Sequence, residues 1–284
     1  MTNATIDVTL TVAADESDDR VRAKRVAADR ARKRRLQSLG IQLISLIVVL
    51  TGWQIIGEHT NAALFTTPIA VVKAARDMIG SGELWRYLAP SLIVFSAGLA
   101  ISIVAGILAG LLLARFWVVD VALGPYITFL YSTPAVALVP LIVLWTGYEF
   151  TAKTIIMVLF AFFPIAINTY QGVKNVDVNL LEVGRAFRCS ERQLWVNIVL
   201  PAALPFIIAG LRLAVGRGLI GMVLADLYTA ISGIGYLIVR SASTYQVDRM
   251  FVPIVTLGLL GVTMTALVSF LERRLVPWTA VNKD

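Results

Sequence analysis

The side chains that could act on a solute are few, and they stand inside long apolar runs. Residues 202–225 carry no charge except Arg212 and Arg217. An arginine at membrane depth must face protein or water, where it offers a positive charge to a passing anion. Five residues apart, the two point about 140° away from each other on a helix of 3.6 residues per turn. They therefore cannot line one narrow pathway unless the helix is irregular near Gly216 and Gly218. Arg217 is the candidate to attract an anion; a structural arginine bonding backbone carbonyls is the plainer alternative. Tyr131, Ser132, Thr133 and Pro134 fall near the middle of another apolar run, 121–145. Prolines withhold donors, and the carbonyls they free are tolerable only where buried or wet, so this segment is a second pathway candidate. A kink serving only packing fits it equally well. Asp226, at the edge of the 202–225 run, completes the set.

Other chemistry is excluded by what the sequence lacks. It has no GxxxxGK[ST] phosphate loop, so ATP energy would have to enter through a partner. His59 and Cys189 are the only residues of their kinds, which leaves no Ser/His/Asp set, no internal disulfide and no cysteine-based zinc site. No enzyme activity, cofactor or metal is expected. With Asp120 and Asp226 only at the edges, the apolar runs contain no carboxylate, against the usual pattern of a proton-coupled carrier.

The elements that must position these residues are membrane helices. Of 284 residues, 58% are hydrophobic and 15% charged, with a mean hydropathy of +0.79. A water-soluble domain could not cover itself with that composition. Runs long enough to cross a ~30 Å hydrocarbon core occupy 39–57, 91–114, 121–145, 151–170, 202–225 and 250–271, which predicts an all-α integral membrane protein of six spans. The net charge of +7 is not spread as in a nucleic-acid binder: nine of the 25 Lys and Arg lie between Arg20 and Arg35. Residues 1–37 form a basic cytoplasmic tail with a disordered acidic start, and 38–284 the transmembrane domain. With the N-terminus inside, 17 basic residues fall inside and six outside, Lys153 among the latter. That bias puts both termini and the 172–201 loop in the cytoplasm. Outside, 68–79 suits an amphipathic helix and YTAISGIGY a turn or re-entrant bend. In 91–114, Gly106 and Gly110 form GxxxG, favouring close packing within the chain over a dimer seam.

The 172–201 loop is too organised to be a mere connection. Residues 182–187 read as a short helix, and Ser190 with Gln193 forms a capping box that starts a second. Pro201 and Pro205 mark the entry to the next span, so 182–201 makes a compact knob. This stretch resembles the permease subunits of binding-protein-dependent ABC importers. Their loop begins Glu-Ala-Ala, has a glycine shortly after, and ends Ile-x-Leu-Pro. Glu182, Ala186, Ile198, Leu200 and Pro201 match it. Val183 and Gly184 replace the alanine pair. Arg188 replaces the glycine, where a left-handed turn strains any side chain. The likeness covers residues 80–278. GELWRYLAPS, FFPIAINTYQGV and GIGYLI place it nearest the branch handling nitrate, taurine and aliphatic sulfonates.

The resemblance implies a type I importer permease (MetI-like) architecture in the plasma membrane. Its partners would be a second permease copy, two cytoplasmic ATPase subunits and an extracytoplasmic solute-binding protein. It also implies that Glu182, Val183, Arg185, Ala186, Phe187, Arg188, Ser190, Leu194 and Pro201 couple to the ATPase. Glu182 and Arg185 would be polar contacts, while Phe187, Leu194 and Trp195 pack the knob. A small, anionic solute is expected. The alternative is a carrier or channel working alone.

Overall fold

The computed structural model describes residues 33, 34, 36–61 and 63–277, so the expectations for the tail ahead of Lys33 lie outside the described residues. Among those described, every regular element is a helix. Contacts divide the chain after Asn61. The first unit contributes α1, Leu36–Glu58, an apolar and largely exposed helix long enough to cross a membrane.

The second unit is built on three helices: α3 (Glu83–Arg115), α6 (Phe150–Lys174) and α9 (Leu200–Thr229). Small residues bring their backbones together. A Cβ on Gly106 would lie 2.9 Å from the Ile165 side chain, and one on Gly110 2.5 Å from the Ala166 carbonyl. GxxxG thus packs α3 on α6 within the chain, as expected. Gly210 and Gly221 play the same part between α9 and α6, against the Pro164 carbonyl and Phe160. Met157, Ala161 and Ile165 fill the centre with Phe95, Ala214 and Met222.

Around this core, α2 (Pro68–Gly80) is the expected amphipathic helix. Thr67 caps it by accepting from the Ala70 N–H at 3.2 Å, and Val71, Ala74 and Met78 form its buried face. α10 (Ile234–Ser243) and α11 (Val247–Leu275) pack against α9. Between α6 and α9 come α7 (Val178–Ala186), α8 (Glu191–Leu194) and a turn of π-helix, Trp195–Val199.

The third expected span is two helices, α4 (Trp117–Ser132) and α5 (Ala135–Thr146), meeting at 99°. The break falls at Thr133-Pro134, since proline disfavours helix in the residue before it. The pair nevertheless runs from one end of the bundle to the other. Asp120 at its start accepts from Tyr170 near the end of α6, whereas Val143 near its finish packs with Ile156 and Ala225 at the opposite end. Legs of 16 and 12 residues bent by 99° leave the ends of the pair ~28 Å apart at 1.5 Å per residue. Counting the pair as one span, six spans stand among the described residues.

Two further boundaries differ from expectation. α8, the π turn and α9 form one continuous helix, Glu191–Thr229, so Pro201 does not separate knob from span. The π turn allows this. Pro201 has no N–H to give, and the turn before it closes by an i→i−5 bond from the Leu200 N–H to the Trp195 carbonyl. The helices also extend past the predicted runs at Asp226 and Glu272, which lie inside α9 and α11, and Lys153, counted with the outside residues, lies inside α6. A count that stops at the first charge cuts a helix short wherever that charge has a partner.

Candidate functional site

At one end of the bundle the knob is assembled as its sequence requires. Asp177 caps α7 by accepting from the Asn179 N–H at 2.9 Å. The capping box at the start of α8 is complete: the Gln193 N–H donates to Ser190 Oγ, and the Ser190 N–H to Gln193 Oε1 at 2.8 Å. Gly184 is buried where α7 meets α8, since a Cβ there would collide with Leu194 and Ile198. Leu194 is buried and Trp195 half-buried. Phe187 corrects the expectation that it packs the knob: it is 80% exposed and points outward. Glu182, Val183, Arg185, Ala186 and Arg188 share that exposure, so polar and apolar groups of α7 and the turn after it form an exposed outer face.

Arg188 takes the left-handed turn that a glycine would make easily, with φ of 55°. The bonds around it are those of a Schellman end. The Cys189 N–H donates to the Gly184 carbonyl at 3.0 Å and the Arg188 N–H to the Arg185 carbonyl at 2.8 Å. Arg188→Gly should therefore relieve about 1 kcal/mol of strain. A higher thermal midpoint in detergent is the expected reading, and an unchanged or lower one would refute it.

The knob is tied to the bundle by α3. Arg115 donates to Glu191 at 2.8 Å while its guanidinium lies 4.9 Å from the Trp195 ring centre. Asp120, Tyr170 and Lys174 meet at the same end, with Lys174 Nζ 3.5 Å from the Asp120 carboxylate.

Of the pathway candidates, Tyr131, Ser132, Thr133 and Arg217 come together. Arg217 reaches from α9 to the break between α4 and α5, its guanidinium 5.0 Å from the centre of the Tyr131 ring. The four line a cavity of about 260 Å³ with Pro134 and Phe163. Among the described residues Arg217 has no carboxylate partner. A larger cavity of about 820 Å³ runs along α4 and α6 from Asp120 and Tyr170 to Tyr131, so Tyr131 stands between the two. Arg212 points elsewhere, as the 140° offset requires. It is held by Glu272 and Ser269 of α11 and is not at the cavity.

Asp226 is not at the cavity either. It is fully buried, and its carboxylate accepts from Lys153 Nζ at 2.7 Å, Ser91 Oγ at 2.5 Å and the Gly235 N–H at 3.4 Å. Lys153, buried rather than in an outer loop, also donates to the Ser232 carbonyl at 2.6 Å. Ser91 Oγ accepts in turn from the Ile234 N–H at 2.8 Å. The turn after α9 sits on the carboxylate through Gly233, whose φ is 102°. A Cβ on Gly233 or Gly235 would strike Asp226. Sequence reasoning missed this cluster. Its one local signal was the SGIG turn that starts six residues after an aspartate.

Comparison with known proteins agrees with this geometry. Residues 102–278 match the family described as binding-protein-dependent transport system inner membrane component. A putative aliphatic sulfonates transport permease protein, SsuC of Bacillus subtilis, is 33% identical over 90% of this chain and 93% of its own length. A formylaminopyrimidine transport permease protein, ThiX of Halalkalibacterium halodurans, is 34% identical over 87% of this chain and 98% of its own. The nitrate import permease protein NrtB of Leptolyngbya laminosa is 30% identical over 82% and 86%. In fold, the chain superposes on a crystal structure of an amino acid ABC transporter with a TM-score of 0.53. That match covers 70% of this chain and 97% of the other, at 18% identity. The chain therefore belongs to the binding-protein-dependent transport system inner membrane components, as the transmembrane subunit of an ABC importer.

Proposed function

We propose that the α7–α8 knob is the handle by which a separate ATPase drives this permease, and that the solute is a small oxyanion of the nitrate or sulfonate kind. The observation that carries the first part is the unbroken helix Glu191–Thr229. A force on the knob is delivered along α9 to Arg217 without a flexible joint. The knob is cytoplasmic, in keeping with the basic residues on its side of the sequence, and both termini share that side. Two permease copies act with two ATPase subunits, and a solute-binding protein delivers to the opposite face. On the outer face of α7, Glu182 and Arg185 make polar contacts, Val183, Ala186 and Phe187 present apolar surface to the ATPase, and Arg188 shapes the turn. Ser190, Leu194 and Pro201 hold the knob's form. ATP is hydrolysed in the partner.

Glu182→Lys should abolish ATPase stimulation by solute-loaded binding protein while the permease stays assembled in the membrane. Survival of stimulation in the assembled variant would end the assignment. Co-purification of an ATPase subunit checks the complex itself, and a carrier working alone would bring none.

The oxyanion reading rests on Arg217, which lines the cavity at the α4–α5 break with Ser132 and Thr133 and has no carboxylate partner among the described residues. Charge-assisted bonds from such a cation contribute roughly 1.5–3 kcal/mol. Arg217→Gln should therefore lower uptake about ten-fold or more, with assembly measured separately. Undiminished uptake by the assembled variant would refute it. Relatives named for sulfonates and nitrate carry anions of this class.

A further inference from the structure

Among the described residues, the Arg217 guanidinium has no hydrogen bond and no ion pair. Arg212, on the same helix, spends its own on Ser269 and Glu272. What Arg217 does meet is the Tyr131 ring, whose centre lies 5.0 Å from its guanidinium carbon. That ring is itself held. The Thr133 N–H and hydroxyl both donate to the Phe129 carbonyl, at 3.0 and 2.9 Å, which closes the last turn of α4 around Tyr131. Phe163 of α6, only 8% exposed, packs beside the ring with centres 6.3 Å apart and planes at 50°. Phe162 meets Phe163 edge-on at 5.2 Å. A file of side chains, Phe162, Phe163, Tyr131 and Arg217, thus runs from α6 through α4 to α9.

Resting on the oxyanion reading above, we infer that Tyr131 is a positioning residue that sets the selectivity of Arg217: its ring holds the guanidinium ready for two oxygens of one oxyanion. The negative face of the ring attracts the cation and repels an anion, so solute meets the guanidinium on the side away from the ring. The N–H groups there are unspent, and they form a rigid planar fork that matches paired oxygens. A loose arginine would have to be ordered by each solute as it binds, which weakens binding. An oxyanion gains from a fork already aimed. Chloride, alike from every side, gains little. Tyr131 therefore favours oxyanions over halides through Arg217. Packing does not demand a ring at this position, since Tyr131 is 37% exposed.

The test uses the permease assembled with its ATPase subunits in lipid nanodiscs, without nucleotide. Sodium ethanesulfonate, nitrate and chloride are the probes, each titrated from the same low-salt buffer so that the buffer anion cancels in the ratio of affinities. Apparent affinity is read from the rise of the thermal midpoint with concentration. The rise that remains in Arg217→Gln is the general effect of salt. The parent should bind both oxyanions more tightly than chloride. Tyr131→Leu and Tyr131→Met, which remove the ring, should weaken the oxyanions about five-fold and chloride less than about two-fold. Tyr131→Phe, which keeps the ring and drops the hydroxyl, should match the parent.

An unchanged oxyanion-to-chloride ratio in either assembled ring-less variant overturns the inference. So does a Tyr131→Phe variant as weak as Tyr131→Leu, because the hydroxyl and not the ring would then be responsible. In both cases a smaller rise in Arg217→Gln than in the parent leaves the oxyanion reading standing. Equal rises in Arg217→Gln and the parent overturn that reading and the role of Tyr131 together.

Discussion

Lys153→Met alone should remove most of the folded permease from the membrane. The substitution leaves the Asp226 carboxylate buried with Ser91 and one backbone N–H but no cation, and breaking a buried pair from one side costs about 3–5 kcal/mol. That approaches the whole stability of many domains, 5–15 kcal/mol. Asp226→Leu alone should fail for the mirror reason, because Lys153 would keep only the Ser232 carbonyl and hydroxyl. The double replacement should assemble better than either single. Monodisperse complex recovered in detergent, with its thermal midpoint, is the measurement. Single variants as abundant as the parent would mean that water reaches the pair and that it is not a sealed joint.

Gly110→Val should be the next most damaging change. A Cβ at 110 would lie 2.5 Å from the Ala166 carbonyl and 2.6 Å from Thr169 Cβ. A carbonyl held in a helix ladder cannot step aside, so α3 and α6 must separate. Overpacking of that kind costs roughly 3 kcal/mol. Thr169 Cγ2, 2.9 Å from the same point, closes the other side. Gly216→Ala is the control, because a Cβ on Gly216 meets nothing within 4 Å; it should be neutral or slightly stabilising, as alanine favours helix. A tolerated valine at 110 would show that the two helices do not pack this closely in the membrane.

Much of this fold was legible because its signals are local. The Ser190–Gln193 box, the GxxxG pair and every apolar run but 121–145, which bends at Thr133-Pro134, each lie within one helix or turn, and the chain realises them. The 140° offset between Arg212 and Arg217 also held, because helix phase is a local property. What escaped was non-local. Nothing in the letters joins Ser91, Lys153 and Asp226, which come from three helices, and a charge at the margin of an apolar run is read as lying outside it. The same habit hid Glu272, the partner of Arg212. Continuity through Pro201 was missed for a different reason. Proline is normally a boundary, and only the wider ring at Trp195–Val199 makes it an exception. The resemblance implies that Phe187 packs the knob, yet on this knob the apolar residues face both inward and outward, and Phe187 faces outward.

The wider ring has one more consequence. It accommodates a single residue beyond the α-helical count, so that residue is absorbed locally and α7 and α8 leave α9 on nearly the bearing an uninterrupted α-helix would give them. Deleting one residue of Trp195–Val199 would close the ring to the α-helical i→i−4 bond and keep that bearing, whereas deleting one from the regular turns of α9 would re-phase everything upstream by about 100°. A one-residue deletion should therefore be tolerated far more readily within Trp195–Val199 than within the turns of α9 that follow.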